Sequence, residues 1–256
     1  MAGVVFRGEG RVAHVRLDRP DQMNALNDEM DVQLAAAWTR INDDPDIWCA
    51  ILSASGEKAF CIGADMTGGR QNAGRTAFGG GLTGVGGPLV TLTKPLIAAV
   101  QGFCVGGGFE LAMCADIIVA ADTAQFGLPE TKVGIIGDCG VVHRAIRQLP
   151  HRVAMAMILT GRRIGATDAE RFGLVNEVVA PDDLDAAALR WADAVNAASP
   201  LANQAAKAAA IGRLGYPLEV ALMTRFEAIE RYSDSDDRTE GAAAAASRRK
   251  PVWTGR

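Results

Sequence analysis

A mixed α/β fold ending in an all-helical region is the class the sequence predicts, on three observations. Short branched apolar segments alternate with segments of helical spacing through the first 199 residues. One stretch, Lys94–Asp116 (KPLIAAVQGFCVGGGFELAMCAD), runs from strand through glycine turn to helix without interruption. From residue 200 onward strand-forming residues thin out. The division expected is therefore a β/α core over 1–199 and a separate helical region over 200–256.

The elements follow in order. Val12–Leu17 alternates, with Val15 and Leu17 on one face and His14 and Arg16 on the other, and Asp18-Arg19-Pro20 ends it. MNALNDEMDVQLAAAWTRI has helical spacing through Leu26, Met30, Leu34 and Trp38, with Asn27 as its N-cap. Ile47–Ser53 and Phe60–Ile62 are strands, the latter ending in the sharp turn Gly63-Ala64-Asp65. The glycine-rich stretch 67–88 has no period and reads as a surface loop or as a lid over a site. Leu96–Val100 enters from a proline as a buried strand. Gly106-Gly107-Gly108 turn it, and Phe109–Met113 is helix.

Ile117–Ala121 and Gln125–Leu128 are two more strands, the second stopped by Pro129, which leaves Glu130 in a turn. Thr167-Asp168-Ala169-Glu170 has the pattern of a capping box, with Gly173 at the matching C-terminal position. Asp182–Ala198 is an alanine-rich helix. Ser199-Pro200 and Pro217 open further helices, three in all, before the basic run Ser247–Pro251.

Composition excludes several functions. A formal charge of -4, a pI near 5.5 and the lack of a basic block leave nothing to hold nucleic acid. The apolar runs are broken by Gln101, glycines and Glu110, too polar for a membrane span, and MAGVVFRGEG has no apolar signal core. Five cysteines without a CxxC indicate reduced thiols, Cys139 among them with a structural role, in a cytoplasmic protein. His14, His143 and His151 lack metal spacing, and there is no G-x-S-x-G, P-loop or dinucleotide fingerprint. No metal or cofactor is expected.

Acid/base chemistry beside an anion site is what is left. A glycine turn opening a helix presents unpaired N–H groups and the positive end of the helix dipole. Glu110 lies in that helix with Gly106, Gly107, Met113 and Cys114 as its neighbours three and four residues away. With no polar partner among them, burial is expected to raise its pKa toward the range of a proton-transfer group. Glu130, in a turn, reads by itself as a solvated carboxylate.

These segments resemble the crotonase, or enoyl-CoA hydratase/isomerase, superfamily from about Leu17 to the C-terminus. LDRPDQMNAL, KAFCIGAD, IAAVQGFCVGGGFELAMCAD, FGLPETKVGI, TGRRIGATDAERFGLVNEVV and RRKPVW stand in the family's order. The resemblance implies a spiral of β–β–α repeats with a C-terminal helical part, assembled as a homotrimer or dimer of trimers and binding acyl-CoA thioesters, with coenzyme A part of the substrate. It implies oxyanion-hole N–H groups at Ala64 and Gly107, and acid/base roles for Glu110 toward water and Glu130 toward C2. Contacts to the CoA ester would come from Met23, Ala25, Leu26, Ala64, Asp65, Met66 and Gly107.

The activity implied is hydration of a 2-enoyl-CoA or the reverse. The alternatives are a carnitinyl-CoA dehydratase-like, isomerase or hydrolase activity, or a non-catalytic acyl-CoA binder. The chain departs from the hydratase pattern at Leu128 and at Gly137-Asp138, which resembles the carnitinyl-CoA dehydratase branch. Asp138 there either meets a polar or cationic acyl group or caps a turn. It departs again at Ala245, where the family usually has Phe. Arg248, Arg249 and Lys250 either reach CoA phosphates or form a solvated helix end.

Overall fold

The computed structural model of the 256-residue chain describes residues 3–67, 90–137 and 139–256. The stretch expected as a loop over 67–88, Thr67 apart, and Asp138 lie outside the described residues. In chain order the first half contains β1 (Val4–Glu9), β2 (Val12–Leu17), α1 (Asp28–Asp43), β3 (Cys49–Ala54), β4 (Ala59–Cys61), β5 (Leu96–Val100), β6 (Phe103–Val105) and α2 (Gly107–Ala112). The second half contains β7 (Ile117–Ala121), β8 (Gln125–Gly127), α3 (Val141–Gln148), α4 (His151–Thr160), β9 (Arg163–Gly165), α5 (Ala166–Arg171) and β10 (Glu177–Val179). The helices α6 (Leu184–Asn196), α7 (Pro200–Gly212), α8 (Leu218–Met223), α9 (Glu227–Ser233) and α10 (Asp236–Ala246) complete it.

The strands form two sheets, one ordered β1-β2-β3-β5-β7-β10 and the other β4-β6-β8-β9, and from β3 to β8 successive strands alternate between them. Pairing is parallel except at the edges β1–β2 and β8–β9. The units β5–β6–α2 and β7–β8–α3 each lay one strand in the large sheet and the next in the small one before a helix. This is the β–β–α spiral the fold class requires.

The large sheet is covered on both sides, which is why β5 reads as an unbroken apolar run. Leu96, Ala98 and Val100 face the main core with Trp38, Phe60 and Phe109, while Ile97 and Ala99 face α6 through Ala187, Ala188 and Ala192. Alanine on α6 lets the helix lie close to the sheet.

Asn27 caps α1 as expected, its Oδ1 accepting the Met30 N–H at 2.9 Å. Two expectations are corrected. The Thr167–Glu170 capping box does not form, because β9 feeds α5 through an extended Gly165 and the helix starts at Ala166, leaving Thr167 already inside its first turn. The region after Ser199 holds four helices among the described residues, since extended backbone at Thr224 and Phe226 separates α8 from α9. Strands β1, β6, β9 and β10 escaped the sequence reading. β6, β9 and β10 are three residues long, too short to show a period, and β1 is a partly exposed edge.

Candidate active site

Two tight turns at the C-terminal ends of β4 and β6 meet at the centre of the molecule. Gly63 has φ +96, and a Cβ there would sit 2.9 Å from the Gly107 nitrogen, so the turns touch through main chain alone. Gly107 is the first residue of α2, where N–H groups lack a partner within the helix. Ala64 forms an isolated parallel bridge with Leu26: Leu26 N–H donates to the Gly63 carbonyl (2.8 Å) and Asp65 N–H to the Leu26 carbonyl (2.8 Å). Both bonds come from the neighbours of Ala64, so its own N–H points to the opposite side. Among the described residues neither the Ala64 nor the Gly107 N–H donates to another protein group.

Glu110 lies in the second half of α2, all of whose residues are buried, and is itself only 3 % exposed. The partner that its helix neighbours cannot supply comes from elsewhere. Its Oε1 accepts N–H bonds from Cys139 (2.9 Å) and Val141 (3.2 Å), the latter the first residue of α3. The N-terminal amides of α3 thus solvate a carboxylate that burial has removed from water.

Glu130 is 9 % exposed and opens a 3₁₀ turn, Glu130–Val133, that ends on Gly134 in the left-handed region. A Cβ on Gly137 would lie 3.4 Å from Oε1 of Glu110 and 3.4 Å from Oε1 of Glu130. The two oxygens are therefore no further apart than twice that distance. Glu130 Oε1 also lies 3.5 Å from where a Cβ on Gly106 would be, beside the second turn. A cavity of about 30 Å³, with room for a water molecule, lies against Glu130 and Gly137 between Leu128, Ile136, Val141 and Ile158.

The other expected site residues divide. Ala25 and Leu26 are buried, so their main chain is what they offer, whereas Met23 and Met66 are exposed. Asp65 commits both oxygens within the chain: Oδ1 to Thr67 N–H (3.0 Å) and Oγ–H (2.6 Å), Oδ2 to both Nη atoms of Arg19 (3.1 Å each). The Thr67 bonds, and after them Arg19, hold its carboxyl below its ordinary pKa. Arg249 is likewise engaged, by Glu240 at 2.5 and 2.7 Å, and Ala245 is exposed.

Sequence reasoning missed Arg19 and Asn24. Met23 and Asn24 both have positive φ (49° and 55°), a strained pair of non-glycine residues. Asn24 is fully buried and holds that turn by donating to Ser55 and Ala59 carbonyls (2.9 Å each) while accepting Arg19 N–H (2.9 Å). The only signal in the sequence was the tolerance of Asn for left-handed backbone.

Comparison with known proteins agrees with this architecture. The family model described as enoyl-CoA hydratase/isomerase matches residues 7–256. The chain is 37% identical over 255 residues to (E)-benzylidenesuccinyl-CoA hydratase of Thauera aromatica, covering 98% of this chain and 99% of that one. It is 39% identical over 253 residues to carnitinyl-CoA dehydratase of Escherichia coli K12, covering 96% of each. A crystal structure from Novosphingobium aromaticivorans, provisionally assigned as a short chain enoyl-CoA hydratase, superposes with a TM-score of 0.92 at 68% identity over 100% of this chain and 99% of that one. Enoyl-CoA hydratase from Mycobacterium tuberculosis gives a TM-score of 0.90 at 34% identity over 99% of each chain. On the full-length family match and these identities, the chain belongs to the enoyl-CoA hydratase/isomerase family and has its crotonase fold.

Proposed function

We propose that this protein adds water across the double bond of a 2-enoyl-CoA to give a 3-hydroxyacyl-CoA, or runs the reverse dehydration. The observation that carries the reading is the convergence of Glu110 and Glu130 on the space over Gly137, beside the amides of Ala64 and Gly107. The thioester oxygen accepts both N–H groups, and negative charge develops on it as the water oxygen bonds to C3. Loss of one such donor typically costs about 10²–10³ in rate. Glu110 takes the proton of the attacking water, Glu130 delivers one to C2, and the two steps sum to one water added. Each well-placed proton transfer contributes roughly 10²–10⁴.

The aliphatic side chains gathered beside Glu130, Leu128, Ile136, Val141, Val142 and Ile158, favour an uncharged acyl group next to the reacting carbons. A quaternary ammonium such as carnitine carries would meet no aromatic face among these lining groups. Met23, Ala25, Leu26 and Met66 stand along the segment proposed to meet the CoA ester, and Asp65 would meet it through main chain only, its carboxylate being engaged by Arg19 and Thr67. The enzyme is proposed to be cytoplasmic and a homotrimer or dimer of trimers. The exposed apolar side chains of Leu214, Leu218, Leu222 and Met223 in the 200–256 region, the last 84 % exposed, favour assembly. Among the described residues no helix is long and apolar enough to cross a membrane.

The test is a panel of enoyl-CoA esters followed by loss of their conjugated absorbance. Turnover of short uncharged esters above crotonobetainyl-CoA is expected. Absence of turnover on every ester, with CoA esters still bound, would replace the hydratase reading with that of a binder.

A further inference from the structure

The geometry points to Arg19 and Asp65 as a clamp that sets the direction of the Ala64 N–H, a positioning role in catalysis rather than a contact with substrate. This rests on the proposal that the Ala64 amide receives the thioester oxygen.

The Leu26–Ala64 bridge consists of one residue pair and two hydrogen bonds. In extended backbone successive N–H groups alternate in direction, so a slip of one residue would turn the Ala64 N–H into the bridge and the Asp65 N–H out of it. Two hydrogen bonds, whose net worth is small because both partners could bond to water instead, do not hold such a register alone. Arg19 supplies what is missing. Its Nη1 donates to the Ala25 carbonyl (2.6 Å), and both Nη atoms donate to Oδ2 of Asp65. One planar guanidinium therefore ties the residue before Leu26 to the residue after Ala64.

The clamp is shielded, with the Arg19 side chain 22% and the Asp65 side chain 12% exposed. It is also braced at both ends. Arg19 N–H donates to Asn24 Oδ1, and the other oxygen of Asp65 is held by Thr67. A lysine could not copy it, since an ammonium lacks the fork that reaches a carbonyl and a carboxylate from one plane.

The experiment uses Arg19→Lys, Arg19→Gln and Asp65→Asn in the full chain. Two readouts are taken: kcat and KM on an enoyl-CoA, and the carbonyl stretch of a bound, slowly reacting cinnamoyl-CoA ester, which falls when the thioester oxygen accepts hydrogen bonds. Wild type is expected to lower that stretch. The variants should lose half or more of the shift and about 10–10² in kcat, with KM changed less than threefold. The pair Arg19→Gln and Asp65→Asn should be no worse together than the poorer single variant.

Folded variants with a lower melting temperature but full shift and kcat would overturn the clamp and leave the hydratase reading intact. If Arg19→Gln fails to fold, Arg19→Lys and Asp65→Asn decide by the same readouts. A wild type with neither shift nor turnover would instead remove the oxyanion reading, and the clamp with it.

Discussion

Glu110 and Glu130 present their Oε1 atoms to one point, each 3.4 Å from the position a Cβ would take on Gly137. One comes from a buried helix and the other from a 3₁₀ turn after β8, so neither element alone builds the pair. Glu110 is held by amides of the 139–141 segment, and Glu130 leans over Gly106.

Gly137→Ala puts a methyl group into the space between these oxygens and against Cγ1 of Val141. Turnover is expected to fall by about 10² or more, as when one proton-transfer group is lost. Single-turnover rates together with CoA-ester affinity check this. A variant that binds and turns over like wild type would show that no reacting water occupies that space.

Glu110→Gln keeps an acceptor for the Cys139 and Val141 amides, so the fold should survive. It cannot take a proton, and neither can Glu130→Gln. Each is expected to lower kcat by about 10² or more. A near-wild-type rate in either variant would remove that residue from the mechanism.

Gly63→Ala forces a side chain onto φ +96 and brings a carbon to 2.9 Å from the Gly107 nitrogen, across its N–H. The expected loss is about 10²–10³ in kcat, the effect of removing one oxyanion donor. Melting temperature measured in parallel separates backbone strain from catalysis, and unchanged kcat in the folded variant would count against the Gly107 donor.

Lys94 is 4% exposed, and its Nζ donates to the carbonyls of Ile41 (2.7 Å) and Asp44 (2.6 Å) at the end of α1. Burial pushes its pKa down to about 8. The unfolded lysine titrates at about 10.4, so between these values the unfolded chain binds more protons and stability rises with pH. A neutral amine still has two donors for both carbonyls. Urea midpoints at pH 7.5 and 9.5 should show a rise that Lys94→Met reduces; an equal rise in both proteins would rule out Lys94 as its source.

Asp237 is 1% exposed and accepts from Ser199 Oγ (2.9 Å), Thr254 N (2.8 Å) and Gly255 N (3.2 Å), joining the start of α7, α10 and the C-terminal tail. Asp237→Ala leaves the buried Ser199 hydroxyl and two part-buried amides without this acceptor and should cost about 1–3 kcal/mol. Urea unfolding measures it, and a change under about 0.5 kcal/mol would show that the tail is held by other contacts.

Much of the fold was legible because burial imposes a pattern on neighbouring residues. β5 showed as an apolar run, α1 through its spacing and Asn27, and the turns through Gly63 and Gly106–Gly108. Strands of three residues display no period: β4 and β8 were read from the turn at Gly63 and from Pro129 that stop them, whereas β6, β9 and β10 were not. Glu130 looked like a solvated turn residue because its carboxylate faces the segments at Gly106 and Gly137, which a local reading does not bring beside it.

The sequence by itself determined where the chain turns, which segments are buried, and which carboxylates stand next to those turns. Only the tertiary structure decided that Glu110 is solvated by the start of α3, that Glu110 and Glu130 share one space, and that Arg19 joins Ala25 to Asp65. The reason is physical: periodicity records interactions within a few residues, whereas the order of strands in the two sheets sets which distant main-chain amides and side chains face each other.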